Sequence, residues 1–334
     1  MTSAEPEHRK TTVAISGAGG AVGYGLVFRI AAGGMFGAHH QVSLRLLEHA
    51  ERMQRLKATA MELFDCAFPL LDSYHVTSDP VDAFSDADWI ILLADSPRES
   101  ARISREEQIR RNGELYAEHG RAINVASPRA RILVVASPSN IQCAIAMKYA
   151  PNVPQEHWFA LNRLDRMRAV ALIAEKAGVP VSKVTRVNVW GNHSELLYVD
   201  FHNAFIDDQP AYEVIRDEHW AQTTLQEFVH RRAEDILNLR GLSAVATASQ
   251  AILGTVNSFV TPTPFGHRFG AGVVSDGSYD VPKGLVFGFP LRTEDGKMWS
   301  IVPDLFLTDF AEERIAANIA QIEKEMVIVE SLFG

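Results

Sequence analysis

The sequence predicts an α/β protein: a doubly wound parallel sheet followed by a second, mixed α/β lobe. Three observations carry this. Apolar runs without alternation recur through the first half, as strands buried on both faces do. Segments of helical spacing separate those runs. A glycine-rich turn joins the first strand to the first helix.

Residues 11–16 (TTVAIS) form a short β-branched run, and residues 21–31 (AVGYGLVFRIA) have helical spacing. Residues 41–48 (QVSLRLLE) read as the second strand and 50–67 as the second helix. Residues 86–95 (DADWIILLAD) give another apolar strand. A polar, Arg-rich stretch follows at 96–105, then a helix to about Ala126 and a strand at 130–138 (ARILVVASP). Crossovers in such a sheet are right-handed, and ligands gather at the carboxyl ends of its strands. Residues 150–158 (APNVPQEHW) hold two prolines and no periodicity. The first lobe is therefore expected over 1–157 and the second over 158–334. The second half is more mixed. It reads as helices near 163–178, 218–238 and 243–257, strands near 184–190, 271–275 and 284–303, and a C-terminal helix from about Asp309.

The 334 residues are ample for two packed lobes. A hydrophobic share of 47% marks a globular chain. Lys and Arg number 32 against 41 Asp and Glu, a net charge of −9, so no basic face for nucleic acid is expected. Cys66 and Cys143 sit among apolar residues and are expected to be buried thiols, with no disulfide and no metal site. The polar N-terminus lacks the apolar core of a signal peptide. No run of about 18 apolar residues is present to span a membrane. The expectation is a cytoplasmic protein that acts on a small molecule, with no nucleic-acid or membrane partner.

Gly17, Gly20 and Gly23 form G-x-x-G-x-x-G between the first strand and the first helix. Glycine permits the tight turn and lets the backbone approach a pyrophosphate. The helix start, through Gly20, Ala21, Val22 and Gly23, offers N–H groups and a partial positive charge to phosphate oxygens. Glu48 ends the second strand, where a carboxylate can bind both ribose hydroxyls and repel a 2′-phosphate. Together these features point to NAD rather than NADP.

Three further stretches carry charge. Residues 161–169 (LNRLDRMRA) place Asp165 and Arg168 three apart on a helix, able to share a face. Residues 187–195 (VNVWGNHSE) put His193 just past an apolar strand. Residues 96–108 (SPRESARISREEQ) lie beyond a strand's carboxyl end, where a lid would sit. Each has an ordinary reading alone: a surface ion pair, a satisfied structural histidine, a solvated loop. Together they supply a base, an acid to fix its tautomer, an arginine fork for a carboxylate and a lid arginine. With a nicotinamide, that set can oxidise a 2-hydroxy acid.

The chain resembles the NAD-dependent malate dehydrogenases of the lactate/malate dehydrogenase family, and more closely the cytosolic-type ones. The likeness runs from about Thr12 to the C-terminus. It rests on GAGGAVGYGL, LRLLE, ATAMELFDCAFPLL, LNRLDRMRA, VWGNHS, RGLSAVATASQAI and SDGSYDVP, in that order. The resemblance implies a Rossmann lobe plus a catalytic lobe, assembled as a homodimer. It implies that Asp165 and His193 form a proton relay and that Arg168 binds the C1 carboxylate. It implies that Arg105 polarises the C2 oxygen, Arg98 pairs with a distal carboxylate, and Ser243 stands near the substrate. Gly17, Gly20, Gly23 and Glu48 match the cofactor loop and the ribose acid.

Five features depart from that family's pattern. Ser137-Pro138 stands where the family has Asn-Pro, so a shorter hydroxyl replaces an amide between cofactor and substrate. Arg98 and Arg105 are one residue further apart than in the family. Glu99 replaces a basic residue and Arg102 appears where a Gly-Met pair is expected. Ala94-Asp95 stands where the family has a Gly and a small residue beside the diphosphate. The resemblance thus implies retained chemistry at C2 and altered recognition beyond C3. The substrate would be malate or another anionic 2-hydroxy acid, such as one carrying a phosphonate or sulfonate. A specialised 2-oxo acid reductase, or a dinucleotide binder without catalysis, are the competing readings.

Overall fold

A computed structural model describes residues 10–95 and 104–333. The chain opens with β1 (Lys10–Ser16), α1 (Ala21–Ala31), β2 (Gln41–Leu47), α2 (Met53–Asp65), β3 (Leu71–Thr77) and α3 (Pro80–Phe84). It continues through β4 (Trp89–Leu92), α4 (Arg105–Ala126), β5 (Arg131–Val134), α5 (Ser139–Lys148) and β6 (Trp158–Ala160). Then come α6 (Arg163–Ala177), β7 (Val184–Thr185), β8 (Asn188–Trp190), β9 (Tyr198–Asp200), β10 (Phe205–Ile206) and β11 (Gln209–Pro210). The helices α7 (Ala211–Ile215), α8 (Glu218–Gln222), α9 (Thr224–Arg240) and α10 (Val245–Val260) follow. The chain ends with β12 (Phe269–Val274), β13 (Val286–Thr293), β14 (Trp299–Ile301) and α11 (Asp309–Phe333).

One nine-stranded sheet organises the molecule, in the order β14-β13-β12-β6-β5-β4-β1-β2-β3. The six strands from β3 to β6 are parallel. The last three join antiparallel, with β12 beside β6. All four residues of β4 are buried, which explains its unbroken apolar run. The parallel order 3-2-1-4-5-6 reverses direction between β1 and β4, so the loops after β1, β4 and β5 gather there at the carboxyl edge. Helices α4, α5 and α11 pack together, and α1, α10 and α6 form a second packed group. Right-handed crossovers on either side of the reversal put such groups on opposite faces.

Each helix has a local reason. Ser104 caps α4 by accepting from the Glu107 N–H at 3.2 Å, and Glu107 sits three residues on, as in a capping box. That cap fixes Arg105 as the first helical residue. In α2, Leu56, Ala60 and Leu63 share one buried face. A second core, separate from that of the large sheet, gathers residues such as Ile173, Val189, Phe201, Leu225 and Val229. It holds α6 and α9 against β8 and β9. Cys143 is buried but Cys66 is exposed, against expectation, because Cys66 follows the last turn of α2 on its solvent side.

Phe159 ties the sheet to α10. Its ring centroid lies 4.0 Å from that of Phe259 and 5.9 Å from that of Trp89, and it is 0% exposed. Phe159→Ala is expected to lower unfolding free energy by about 3–5 kcal/mol, read from urea midpoints. A loss below about 1 kcal/mol would show that the site collapses or that Phe159 is not buried.

Candidate active site

The glycine loop leaves β1 at Ser16. Gly17 has φ +73°, a conformation that L side chains rarely adopt. A Cβ on Gly23 would lie 2.5 Å from the Ala18 carbonyl oxygen and 2.6 Å from that of Gly17. Glycine is required at both. The Gly20 N–H donates to Gly17 O at 3.0 Å, and no side chain caps α1. The first N–H groups of α1, at Ala21, Val22 and Gly23, therefore stand at an uncapped, positive helix end suited to phosphate. Glu48 is only 3% exposed, and its carboxylate accepts from the Gly19 N–H at 3.1 Å and the His49 N–H at 3.0 Å. Loop and acid are thus one unit.

Ser16, Gly17, Glu48, Ala94 and His119 line a small cleft of about 50 Å³. Sequence reading passed over His119, because one histidine inside a helix reads as core. Its ring Nδ1 lies 2.6 Å from Leu115 O, so Nδ1–H donates there, and Nε2 has no partner among the described residues. Burial lowers its pKa to about 4. The ring is therefore neutral near pH 7 and keeps an acceptor at Nε2.

The charged constellation closes around one carboxylate. Asp165 lies in the first turn of α6, 1% exposed, where the helix end favours a negative charge. Its Oδ2 lies 2.8 Å from His193 Nδ1, and its Oδ1 accepts from Arg168 Nη1 at 3.2 Å. Asp165 therefore holds the proton on Nδ1 and leaves His193 Nε2 as the acceptor. Arg168 also donates to Val229 O at 3.2 Å, while its buried Nε has no partner among the described residues. Burial pulls the Arg168 guanidinium below its ordinary pKa, and Asp165 opposes that. Arg105, from the start of α4, donates to the His193 carbonyl at 3.2 Å and pairs with Glu325 of α11. Four elements distant in sequence thus meet at His193.

At the β5–α5 turn, the Ser137 hydroxyl donates to Gln108 Oε1 at 3.4 Å, and its carbonyl accepts from Asn112 Nδ2 at 3.3 Å. Asp95 turns its carboxylate onto α4, where Oδ1 accepts from Asn112 Nδ2 at 2.6 Å. Ser243 is exposed just ahead of α10, and none of the described hydrogen bonds joins its hydroxyl to His193 or Asp165. Arg98, Glu99 and Arg102 lie outside the described residues.

A helix start suited to phosphate, an acid placed for a ribose and a buried Asp165 carboxylate shared by His193 and Arg168 define a dinucleotide-dependent oxidoreductase. The lactate/malate dehydrogenase NAD-binding domain matches residues 11–159, and that family's alpha/beta C-terminal domain matches 162–332. The chain belongs to the lactate/malate dehydrogenase family, and its cofactor is NAD. It is similar to the malate dehydrogenase of Naegleria fowleri: 33% identity, TM-score 0.92, covering 97% of this chain and 99% of that one. It is also similar to the lactate dehydrogenase of Trichomonas vaginalis, solved with NADH and oxamate: 32% identity, TM-score 0.92, 96% and 98% covered. The Plasmodium falciparum malate dehydrogenase, at 20% identity and TM-score 0.79, shares the fold over 97% of this chain and 100% of that one. The residues present fit NAD. The Gly23 cradle has no room for a Cβ, and a buried acid and an orphaned neutral imidazole line the adjoining cleft.

His119 also makes stability depend on pH. Its folded pKa, about 4, is below the ordinary histidine value of about 6.5, so the unfolded chain binds the extra proton. The contribution is present above about pH 6.5 and is lost as pH falls through about 4. Between pH 7 and pH 5, wild type is expected to lose about 2 kcal/mol more than His119→Gln, read by urea denaturation at both values. Equal losses would show that His119 is protonated in the folded state.

Proposed function

We propose that this chain interconverts a 2-hydroxy acid and its 2-oxo acid, with malate and oxaloacetate or a close anionic analogue as the pair. The observation that carries the reading is the buried Asp165 carboxylate, shared by a base and a fork. Bound NAD supplies the hydride acceptor and, in reverse, the hydride donor. His193 Nε2 takes the C2 hydroxyl proton as hydride leaves C2, and returns it in the other direction. Asp165 stabilises the imidazolium that forms. Arg168 binds the C1 carboxylate, and Arg105 donates to the C2 oxygen as charge develops there. Glu48 binds the ribose and Gly17 to Gly23 the diphosphate. Ser137 and Ser243 border the substrate.

The relatives carry both names, malate and lactate, at nearly equal identity. The choice therefore rests on Arg98, a cation suited to a distal carboxylate rather than a methyl group. Ser137 supports a second reading, a reductase for another anionic 2-oxo acid, since its hydroxyl is engaged by Gln108 rather than extended as an amide would be. We also read the chain as a homodimer. The face of α2 away from its core exposes Met61 (68%) and Phe64 (70%), apolar surface suited to a second copy.

The test is NADH oxidation with oxaloacetate, 2-oxoglutarate, pyruvate, phosphonopyruvate and sulfopyruvate. Oxaloacetate is expected to give the highest kcat/KM, and pyruvate one lower by about 100-fold or more. A clear preference for phosphonopyruvate or sulfopyruvate would establish the second reading, and preference for pyruvate would contradict both. NADH binding without turnover of any acid would show a binder, not an enzyme.

A further inference from the structure

The long C-terminal helix carries a polar stripe that the mechanism above does not use. Asn318, Gln321 and Glu325 are spaced three and four apart, so they share one face of α11. That face is buried: Asn318 is 1% and Glu325 6% exposed. Each residue grips the segment that carries the catalytic histidine, or the arginine beside it. Asn318 Oδ1 accepts from the Asn192 N–H at 3.1 Å, and Gln321 Oε1 accepts from the Ser194 hydroxyl at 2.9 Å. Gln321 Nε2 donates to Glu325 Oε1 at 3.2 Å. Glu325 then takes Arg105 side-on, Nε to Oε1 and Nη2 to Oε2.

We propose that Glu325 is the positioning residue that aims Arg105 at the substrate oxygen; this rests on the dehydrogenase reading. A guanidinium has five N–H donors in a fixed plane. Glu325 takes the Nε–H and one Nη2–H, and His193 O takes one Nη1–H at 3.2 Å. Among the described residues, one N–H on each Nη has no partner. The plane is fixed at three points, so those two donors have a set direction beside His193. A buried carboxylate without its cation is costly, which keeps Glu325 on Arg105. In this chain the lid arginines are seven residues apart, at 98 and 105. Anchoring Arg105 to α11 frees its placement from that spacing.

The test uses the full-length enzyme and the best 2-oxo acid of the panel. Glu325→Gln keeps the shape and removes the charge. Its kcat/KM is expected to fall about 100-fold, with the NADH dissociation constant unchanged. Arg105→Gln is expected to fall at least as far, and the double variant no further than Arg105→Gln alone, because both act through one guanidinium. A merely structural role for Glu325 would instead add its loss to that of Arg105→Gln. If Glu325→Gln melts below the assay temperature, Glu325→Asp, which keeps the charge but withdraws it by one methylene, is read in the same cycle. Wild-type kcat/KM in a folded Glu325 variant, or additive losses, would overturn the proposal alone. Absence of turnover by the wild type would overturn the dehydrogenase reading and this proposal with it.

Discussion

The Asp165 carboxylate is the constraint on which the site depends. It is buried, so it must be paired, and it is paired twice, with His193 and with Arg168. Removing one partner of such a pair costs about 3–5 kcal/mol. That penalty holds both side chains in register with α6. The same contacts fix the histidine's tautomer and leave its outer nitrogen as the proton acceptor. Stability and chemistry thus draw on one group.

The rest of the molecule brings distant chain to that point. The order of the parallel strands puts the glycine loop, the Ala94-Asp95 turn and the Ser137 turn at one edge. The second core places α6 beside β8, which delivers Asp165 and His193 to each other. α11 then closes the site from the far end of the chain. The Ser104 cap of α4 sets Arg105 in the first turn, where Glu325 can reach it.

Much of this was legible in the sequence because burial on both faces leaves an apolar record. The runs behind β1, β4 and β5 needed no alternation to be read, and the glycine loop follows from turn geometry. The misses have physical reasons. β3 (LDSYHVT) is an edge strand whose central residues are exposed, so no apolar pattern marks it. The strand near 184–190 is two strands, broken where Arg186 takes φ +57°. The helix near 218–238 is interrupted at Thr223, with ψ −78°. Asp165, His193, Arg168 and Arg105 are legible in the sequence, and the structure brings all four together. Glu325 and His119 are not legible, because a glutamate inside a helix reads as its solvent face and a lone histidine as core until their partners are known. Asp95 follows Ala94, which lies against Gly17, and turns its carboxylate onto α4, where Asn112 supplies a donor.

The most direct measurement is the steady-state kinetics of Asp165→Asn, with NADH affinity and melting temperature as controls. Asparagine keeps the shape but gives up the charge that holds His193 Nδ1–H and stabilises its imidazolium. We expect kcat/KM to fall by about 10³- to 10⁴-fold, by analogy with other Asp–His pairs, while the folded variant binds NADH as the wild type does. Near-wild-type turnover by a folded Asp165→Asn protein would contradict the claim that this carboxylate organises the site.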